Sequence, residues 1–296
     1  MWEQITSNKV KSGFLVAFFV VFVIFLGWIF GETTVWGPYA TVLAVVVAGV
    51  GAIVSWYNSD KMVLAISKAR PAEKSQYPHL YNSVEGLAIA AGIPKPALYV
   101  IEDSAPNAFA TGRNPEHAAI AVTTGLLDKL NRTELEGVIG HEMSHIADYD
   151  TLLMTVTVIL VGTVALVSDW MLRTFLWGGG RRRKSTGGGQ TGMILMIVAL
   201  VLAILSPLIA QLIRLAISRK REFLADANAA KLTRFPEGLA NALEKIAGDR
   251  EPLEVANKAT AHLYIENPLK EHKGGMNKLF STHPPVEQRI AALRSM

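Results

Sequence analysis

The 296-residue chain contains no cysteine. Without thiols it has no disulfide framework, and any metal site must use histidine and carboxylate ligands. Charged residues are also few, at 18% of the sequence, whereas half of the residues are hydrophobic. The net charge of +4 does not by itself indicate nucleic-acid binding, because the basic residues cluster beside apolar segments. Anionic lipid headgroups explain them more simply, so we expect the lipid bilayer as a partner and no nucleic acid.

Charge is absent from two long stretches near the start of the chain, residues 13–30 and 36–56. Each has about 20 residues, enough to span a bilayer as a helix. No small-residue cleavage site follows the first stretch, which favours an uncleaved anchor over a signal peptide. Lysines and arginines flank the outer ends of this pair, and Glu32 is the one charge between them. Both ends are therefore expected to face the cytoplasm.

A second apolar pair is predicted at residues 152–177 and 193–217, joined by a glycine-rich linker with a basic cluster at residues 181–184. Two further spans would place this cluster outside, against the positive-inside tendency. A shallow or cytosol-facing hairpin is the alternative, and both give an even number of crossings. The resulting division is an N-terminal transmembrane hairpin (1–57), a first cytoplasmic part (58–151), a second hydrophobic hairpin (152–217) and a second cytoplasmic part (218–296).

The polar segments predict a soluble unit of mixed structure. Apolar residues at helical spacing indicate a helix over residues 73–91, and short β-prone pieces follow at residues 97–101, 107–111 and 118–123. A small sheet is expected from these pieces. One of its edge strands could pair with an extended substrate segment, or could simply bury an apolar face.

The sequence His141-Glu142-Met143-Ser144-His145 predicts a metal site with a general base. On a helix, residues four apart lie one turn above each other, so both imidazoles would face one metal ion, with Glu142 beside it as a general base. Thr133 and Glu136 fit a capping box at the start of this helix. Gly140 would let another backbone or a substrate come close. A chance spacing of two histidines is the alternative.

A third ligand is predicted at Glu222, with Asp226 one turn further on, where it could accept a hydrogen bond from a ligand histidine. The chain has no glutamate between Asp150 and Arg221, so the following segment offers no closer glutamate. Glu222 could instead pair with a neighbouring arginine. Three further histidines remain as alternative ligands or accessory groups: His262, His272 and His283.

These motifs, together with His283-Pro284-Pro285, Arg289 and the 107–112 stretch, resemble the HtpX-type membrane zinc endopeptidases, relatives of the C-a-a-X prenyl-protein proteases. The likeness covers nearly the whole chain. It implies one zinc ion on His141, His145 and Glu222, with Glu142 as catalytic base and Asp226 in support. It also implies that His283 and Arg289 help to bind the tetrahedral intermediate, and that the substrate pairs with an edge formed by Asn107, Ala108 and Phe109.

The fold class expected is therefore a mainly α membrane protein, with two hydrophobic helical hairpins and a cytoplasmic zincin-like metalloprotease domain that contains a small β-sheet. The resemblance implies a multi-pass protein of the bacterial inner membrane that cleaves damaged or misassembled membrane proteins. Two alternatives are processing of lipidated C-terminal peptides and a non-catalytic membrane chaperone or adaptor with structural zinc. A fourth protein ligand such as His262 would favour the adaptor. The sequence leaves the oligomeric state open.

Overall fold

The structure is a computed structural model, and it describes residues 2–33, 37–160, 219–256, 260–266, 268 and 284–296. The expected second hairpin beyond residue 160, its basic cluster at residues 181–184, His272 and His283 lie outside the described residues. The fold class, the first hairpin and most of the expected site fall inside them.

Two long helices form the N-terminal part, α1 (Trp2–Thr33) and α2 (Pro38–Ile66), and they pack against each other. Within the described ranges, Ile5–Phe25 of α1 is the one unbroken segment long and apolar enough to cross a membrane. α2 is bent by 75° between Thr41–Ile53 and Trp56–Ile66, and it makes a second span only if both pieces are taken together. The described residues thus contain one candidate membrane helix, or two if the bent pair is a single span, and the crossing of the predicted hairpin stays a prediction.

A four-stranded mixed sheet follows, with α3 (Pro78–Ala91) between its first two strands. Strands β1 (Arg70–Pro71), β2 (Ala97–Ile101), β3 (Ala108–Gly112) and β4 (Ala118–Thr123) lie in the order β1-β2-β4-β3. β2 and β4 are parallel and the outer pairs are antiparallel. The predicted sheet is confirmed, with β3 starting one residue later than expected and lying at one edge.

The helices that follow strand β4 in the described ranges include one central helix, α5. They are α4 (Thr124–Lys129), α5 (Arg132–Ala147), α6 (Asp150–Leu160), α7 (Arg219–Thr233), α8 (Pro236–Gly248) and α9 (Val286–Arg294). α5 contacts α3, α7, α8 and β3. Close approach is possible at two glycines: a Cβ on Gly137 would lie 2.7 Å from the Leu239 nitrogen, and one on Gly140 would lie 3.4 Å from Cα of Ala229. The expected approach of another backbone at Gly140 is confirmed.

The predicted capping box at Thr133 and Glu136 is wrong. The box is formed by Asn131, whose side chain accepts from the Glu134 backbone N–H, and by Glu134, whose side chain accepts from the Asn131 N–H. Asparagine is a stronger N-cap than threonine, so the helix begins two residues earlier. Glu136 is left to form an exposed ion pair with Arg132 at 2.8 Å.

Candidate metal centre

Helices α5 and α7 bring three predicted ligands together in the interior. His141, His145 and Glu222 each offer one ligand atom, and these atoms all lie within 4.8 Å of one another. The two Nε2 atoms of the histidines are 3.1 Å apart, and the Glu222 carboxylate oxygens lie 3.7 Å from His141 Nε2 and 3.6 Å from His145 Nε2. Residues that are far apart in sequence therefore converge on one point.

The geometry of these three side chains fits a tetrahedral metal ion such as zinc. Metal–ligand bonds of about 2.1 Å at tetrahedral angles separate neighbouring ligand atoms by about 3.4 Å, close to the observed spacings. All three side chains are buried. Two imidazole nitrogens and one carboxylate leave one coordination position for a water or a substrate, as in catalytic rather than structural zinc sites.

Each ligand histidine is oriented by a carboxylate on its other ring nitrogen. Nδ1 of His141 lies 2.9 Å from Asp226 Oδ1, and Nδ1 of His145 lies 3.0 Å from Asp150 Oδ2. A carboxylate at Nδ1 keeps the proton there, so the lone pair of Nε2 faces the metal position. Asp226 takes the place expected from the sequence. Asp150 was not predicted.

The two histidines differ in proton affinity. Burial lowers the pKa of His141 to about 4, and the charge of Arg289 adds to this effect against the hydrogen bond with Asp226. Burial also opposes protonation of His145, but the hydrogen bond with Asp150 and the charge of Glu222 outweigh it and raise its pKa to about 9. Without metal, the raised pKa of His145 favours its imidazolium form, whereas the lowered pKa of His141 favours the neutral ring.

Glu142 is buried in the same interior and follows the first ligand directly in sequence. Burial raises the pKa of Glu142 to about 7, the charge of His145 lowers it, and the negative charge of Glu222 raises it further. A hydrogen bond from the Ala110 backbone in β3 favours the ionised form. A carboxylate with a pKa near 7 can both take and return a proton under neutral conditions.

Arg289 of α9 lies behind the histidines with no exposed surface. Its guanidinium group donates twice to Asp226, from Nε at 2.8 Å and from Nη2 at 2.7 Å. Nη1 donates to the Ile265 carbonyl at 3.0 Å. These contacts indicate that Arg289 orients Asp226 and, through it, His141. The direct role at the intermediate that the resemblance implies stays a prediction.

The strand that was predicted to pair with substrate lies at one edge of the sheet, and another segment of the chain partly covers it. The carbonyl of Ala108 accepts from the Ile265 N–H at 3.0 Å, and Asn107 Nδ2 donates to the Glu266 carbonyl at 3.1 Å. Phe109 has a fully buried ring that packs edge-on against Tyr264, with centroids 5.1 Å apart. Asn107 and Ala108 thus present polar groups that a substrate could use, whereas the Phe109 side chain belongs to the core.

The remaining predicted histidines do not add a ligand within the described ranges. His262 is buried, and its Nε2 faces the Met154 carbonyl at 3.4 Å rather than the three-ligand cluster. Among the described residues, His262 is thus not part of the three-ligand cluster, as the closed site would require. His283 lies outside the described residues, so its role stays a prediction.

Sequence reasoning missed Asp150, the partner of His145. It lies five residues after His145, beyond the end of α5, where helical spacing places nothing. The chain turns back at Tyr149, whose φ of +59° is rare for a residue with a side chain. No local signal in the sequence predicts that turn, although an aspartate shortly after a ligand histidine is a chemical reason to consider it.

Comparison with known proteins gives a consistent result. Residues 74–296 match the model of peptidase family M48. Proteins named "Protease HtpX homolog" are similar over the whole chain. That of Dictyoglomus turgidum is 45% identical over 295 residues, covering 100% of this chain and 94% of the relative. That of Listeria monocytogenes is 45% identical over 305 residues, covering 100% of both.

Among solved structures, the crystal structure of S. mikatae Ste24p is similar with a TM-score of 0.50 and 20% sequence identity. The match covers 99% of this chain and 67% of the other. At this identity the likeness concerns the fold alone.

Proposed function

Because the chain belongs to peptidase family M48 and is a metalloprotease, we propose that it is a zinc-dependent endopeptidase of the bacterial inner membrane. Its substrates are damaged or misassembled membrane proteins, cleaved on the cytoplasmic side. The observation that carries the proposal is the convergence of His141, His145 and Glu222 on one point, with Glu142 beside them.

A single zinc ion, when bound by these three residues, supplies a Lewis acid that activates water and polarises a peptide carbonyl. Glu142 takes the proton of the attacking water and returns it to the leaving amine. Its pKa of about 7 suits both transfers near neutral pH. Asp226 and Asp150 hold the two imidazoles in the tautomer that leaves Nε2 free.

The substrate binds in extended form along the outer edge of β3. Ala108 offers a carbonyl oxygen and Asn107 an amide N–H, and both already bind main-chain groups of the chain itself. Recognition through the backbone tolerates many sequences, which suits an enzyme that removes damaged proteins. Extended segments are available in unfolded proteins and scarce in folded ones. Binding at this edge therefore favours unfolded substrates over folded ones.

Two features support a membrane location with the site near its cytoplasmic face. Large apolar side chains are exposed along α1 and α2, among them Phe14 at 66% and Val42 at 61%, as expected for surfaces in contact with lipid. Asn8, near the start of α1, is hydrogen-bonded to Asp150 and is thus close to the metal centre. The lysines beside Asn8 belong on the cytoplasmic side by the positive-inside tendency.

The test is cleavage of a purified membrane-protein substrate by the full chain in detergent. We expect cleavage that needs zinc, stops with a chelator and returns on adding zinc. Glu142→Gln is expected to bind zinc as the unmodified protein does and to cleave nothing, because the amide cannot accept the proton. Cleavage by this variant, or cleavage by the parent protein after complete zinc removal, would refute the proposal.

A further inference from the structure

Helix α1 is hydrogen-bonded to the turn that joins α5 to α6. The side chain of Asn8, which is 2% exposed, donates from Nδ2 to the Asp148 carbonyl at 3.0 Å and to Asp150 Oδ1 at 2.7 Å. The Lys9 amino group lies 4.2 Å from the centroid of the Tyr149 ring. All three residues of the turn are therefore in contact with two consecutive residues of α1.

This turn holds the carboxylate that orients a ligand. Asp150 Oδ2 lies 3.0 Å from His145 Nδ1, while Asp150 Oδ1 accepts from Asn8 and, at 2.8 Å, from Arg221 Nη1. Arg221 also donates to Asn8 Oδ1 at 3.2 Å. One carboxylate oxygen thus faces the histidine, and the other is fixed by two donors from different helices.

The turn depends on such outside contacts for its shape. Tyr149 has a φ of +59°, a conformation that costs free energy in a residue with a Cβ and persists where the surroundings enforce it. The Asn8 amide binds the residue before Tyr149 and the residue after it. It therefore clamps the turn across its strained position.

We propose that Asn8 is a positioning residue of the metal centre, which acts through Asp150 to hold the imidazole of His145 in place. The apolar N-terminal helix then contributes to metal binding without supplying a ligand. This inference rests on the proposed zinc site at His141, His145 and Glu222.

Asparagine suits this place because its amide offers donors and an acceptor without charge. Aspartate at position 8 would put a second carboxylate against Asp150. Leucine would fill the space but remove one of the two donors to Asp150 Oδ1 described above, so that of these two Arg221 remains. Loss of a group that supports a metal ligand typically weakens metal affinity by about 10-fold to 100-fold. We expect Asn8→Leu to fall in that range and Asn8→Asp to fall at its lower-affinity end.

The test uses the full chain in detergent and measures zinc affinity by competition with a chromophoric chelator. The visible spectrum of the cobalt-loaded protein reports ligand geometry independently of activity. The matched control is Ser12→Ala, which changes another buried side chain one turn further along α1 and leaves Asn8, Asp150 and Arg221 in place. The expected result is weaker zinc binding and an altered cobalt spectrum in Asn8→Leu, with both unchanged in the control.

Equal zinc affinity and identical cobalt spectra in Asn8→Leu and the unmodified protein would overturn the inference, as would equal losses in Ser12→Ala. If Asn8→Leu does not fold, Asn8→Ala, which also removes the amide donors but adds no bulk, is measured against the same control and decides on the same criteria. Failure of the unmodified protein to bind zinc would refute the proposed function instead. The two failures are thus distinguishable.

Discussion

Ile265 donates its backbone N–H to the carbonyl oxygen of Ala108 at 3.0 Å, on the outer edge of β3. The carbonyl oxygen of Ile265 accepts a hydrogen bond from Arg289, which also donates to Asp226. One short segment therefore occupies the edge that we assign to the substrate and touches the support of the metal ligands. An extended substrate must displace Ile265 before it can pair with Ala108.

Weakening this segment is expected to speed cleavage. Tyr264 anchors it through edge-on packing with Phe109, and aromatic pairs of this kind contribute about 1 kcal/mol beyond their buried area. We expect Tyr264→Ala to raise kcat/KM for an unstructured peptide by about fivefold. Displacing the loosened segment then consumes less of the peptide's binding free energy. Tyr264→Phe keeps the ring and should leave kcat/KM unchanged. A zinc-loaded, folded Tyr264→Ala protein with unchanged or lower kcat/KM would contradict this view.

Glu222 is expected to be essential for metal retention. Its carboxylate lies within 3.7 Å of both ligand nitrogens, so Glu222→Ala leaves two histidines alone to bind the metal. We expect zinc content, measured by elemental analysis after dialysis, to fall from about one ion per chain to near zero. Glu85→Ala removes an exposed glutamate from α3 and serves as control. An unchanged zinc content in Glu222→Ala would remove Glu222 from the ligand set.

Zinc binding should strengthen with rising pH. In protein stripped of metal, the pKa of His145 is raised to about 9 by its contact with Asp150 and by Glu222, against the effect of burial. Below that pH the proton competes with zinc for the imidazole, so the apparent affinity should fall by about tenfold per pH unit. Titration calorimetry between pH 7 and about pH 9 measures this slope. Asp150→Asn removes the main interaction that favours the proton, and its slope should be shallower over the same range.

The same pKa shift has a consequence for stability in the stripped protein. The folded-state pKa of His145 lies above its ordinary value of 6.5, so its contact with Asp150 stabilises the fold fully below about pH 6.5. That contribution is lost as the pH rises towards 9. Chemical unfolding of stripped protein should therefore show a smaller free energy of unfolding at the alkaline end, and a flat profile would argue against a protonated His145.

Two glycines in helices should respond oppositely to alanine. In Gly137→Ala, the new methyl group would lie 2.7 Å from the Leu239 nitrogen, so α8 must shift, at a cost of about 1–3 kcal/mol. In Gly86→Ala on α3, nothing lies within 4 Å of the new methyl group. The gain in helix propensity should then stabilise the protein by about 1 kcal/mol. Thermal unfolding measures both changes, and destabilisation of similar size in both variants would contradict the close packing of α5 and α8.

The ligand residues could be predicted because their relationship is local. His141 and His145 are four apart on one helix, as are Glu222 and Asp226, so helix geometry alone places each pair on one face. The strands could be predicted equally well, because short runs of β-branched and small apolar residues are bounded on both sides by turn residues. Helix periodicity does not by itself bring α5 and α7 together. Glu222 was predicted as the third ligand from its spacing to Asp226 and the absence of a nearer glutamate, and the resemblance implied the same ligand.

The supporting residues could not be predicted, because their contacts depend on the three-dimensional path of the chain. Asp150 reaches His145 through a turn with a positive φ at Tyr149, and Asn8 reaches Asp150 from 142 residues away in sequence. Arg289 was identified, but its burial behind Asp226 follows from the packing of α9. The cover on β3 by Ile265 likewise follows from tertiary structure, since neither segment carries a local signal for the other.

The ligands and their supports are spread along the chain, from Asn8 in α1 through His141 and His145 in α5 to Glu222 in α7 and Arg289 in α9. These residues are therefore translated one after another, with Asn8 first and Arg289 last. A nascent chain that has been translated through His145 but not yet to Glu222 therefore carries the two histidines without the third member of the cluster. The order of these residues along the gene thus delays completion of the three-ligand cluster until translation has passed Glu222.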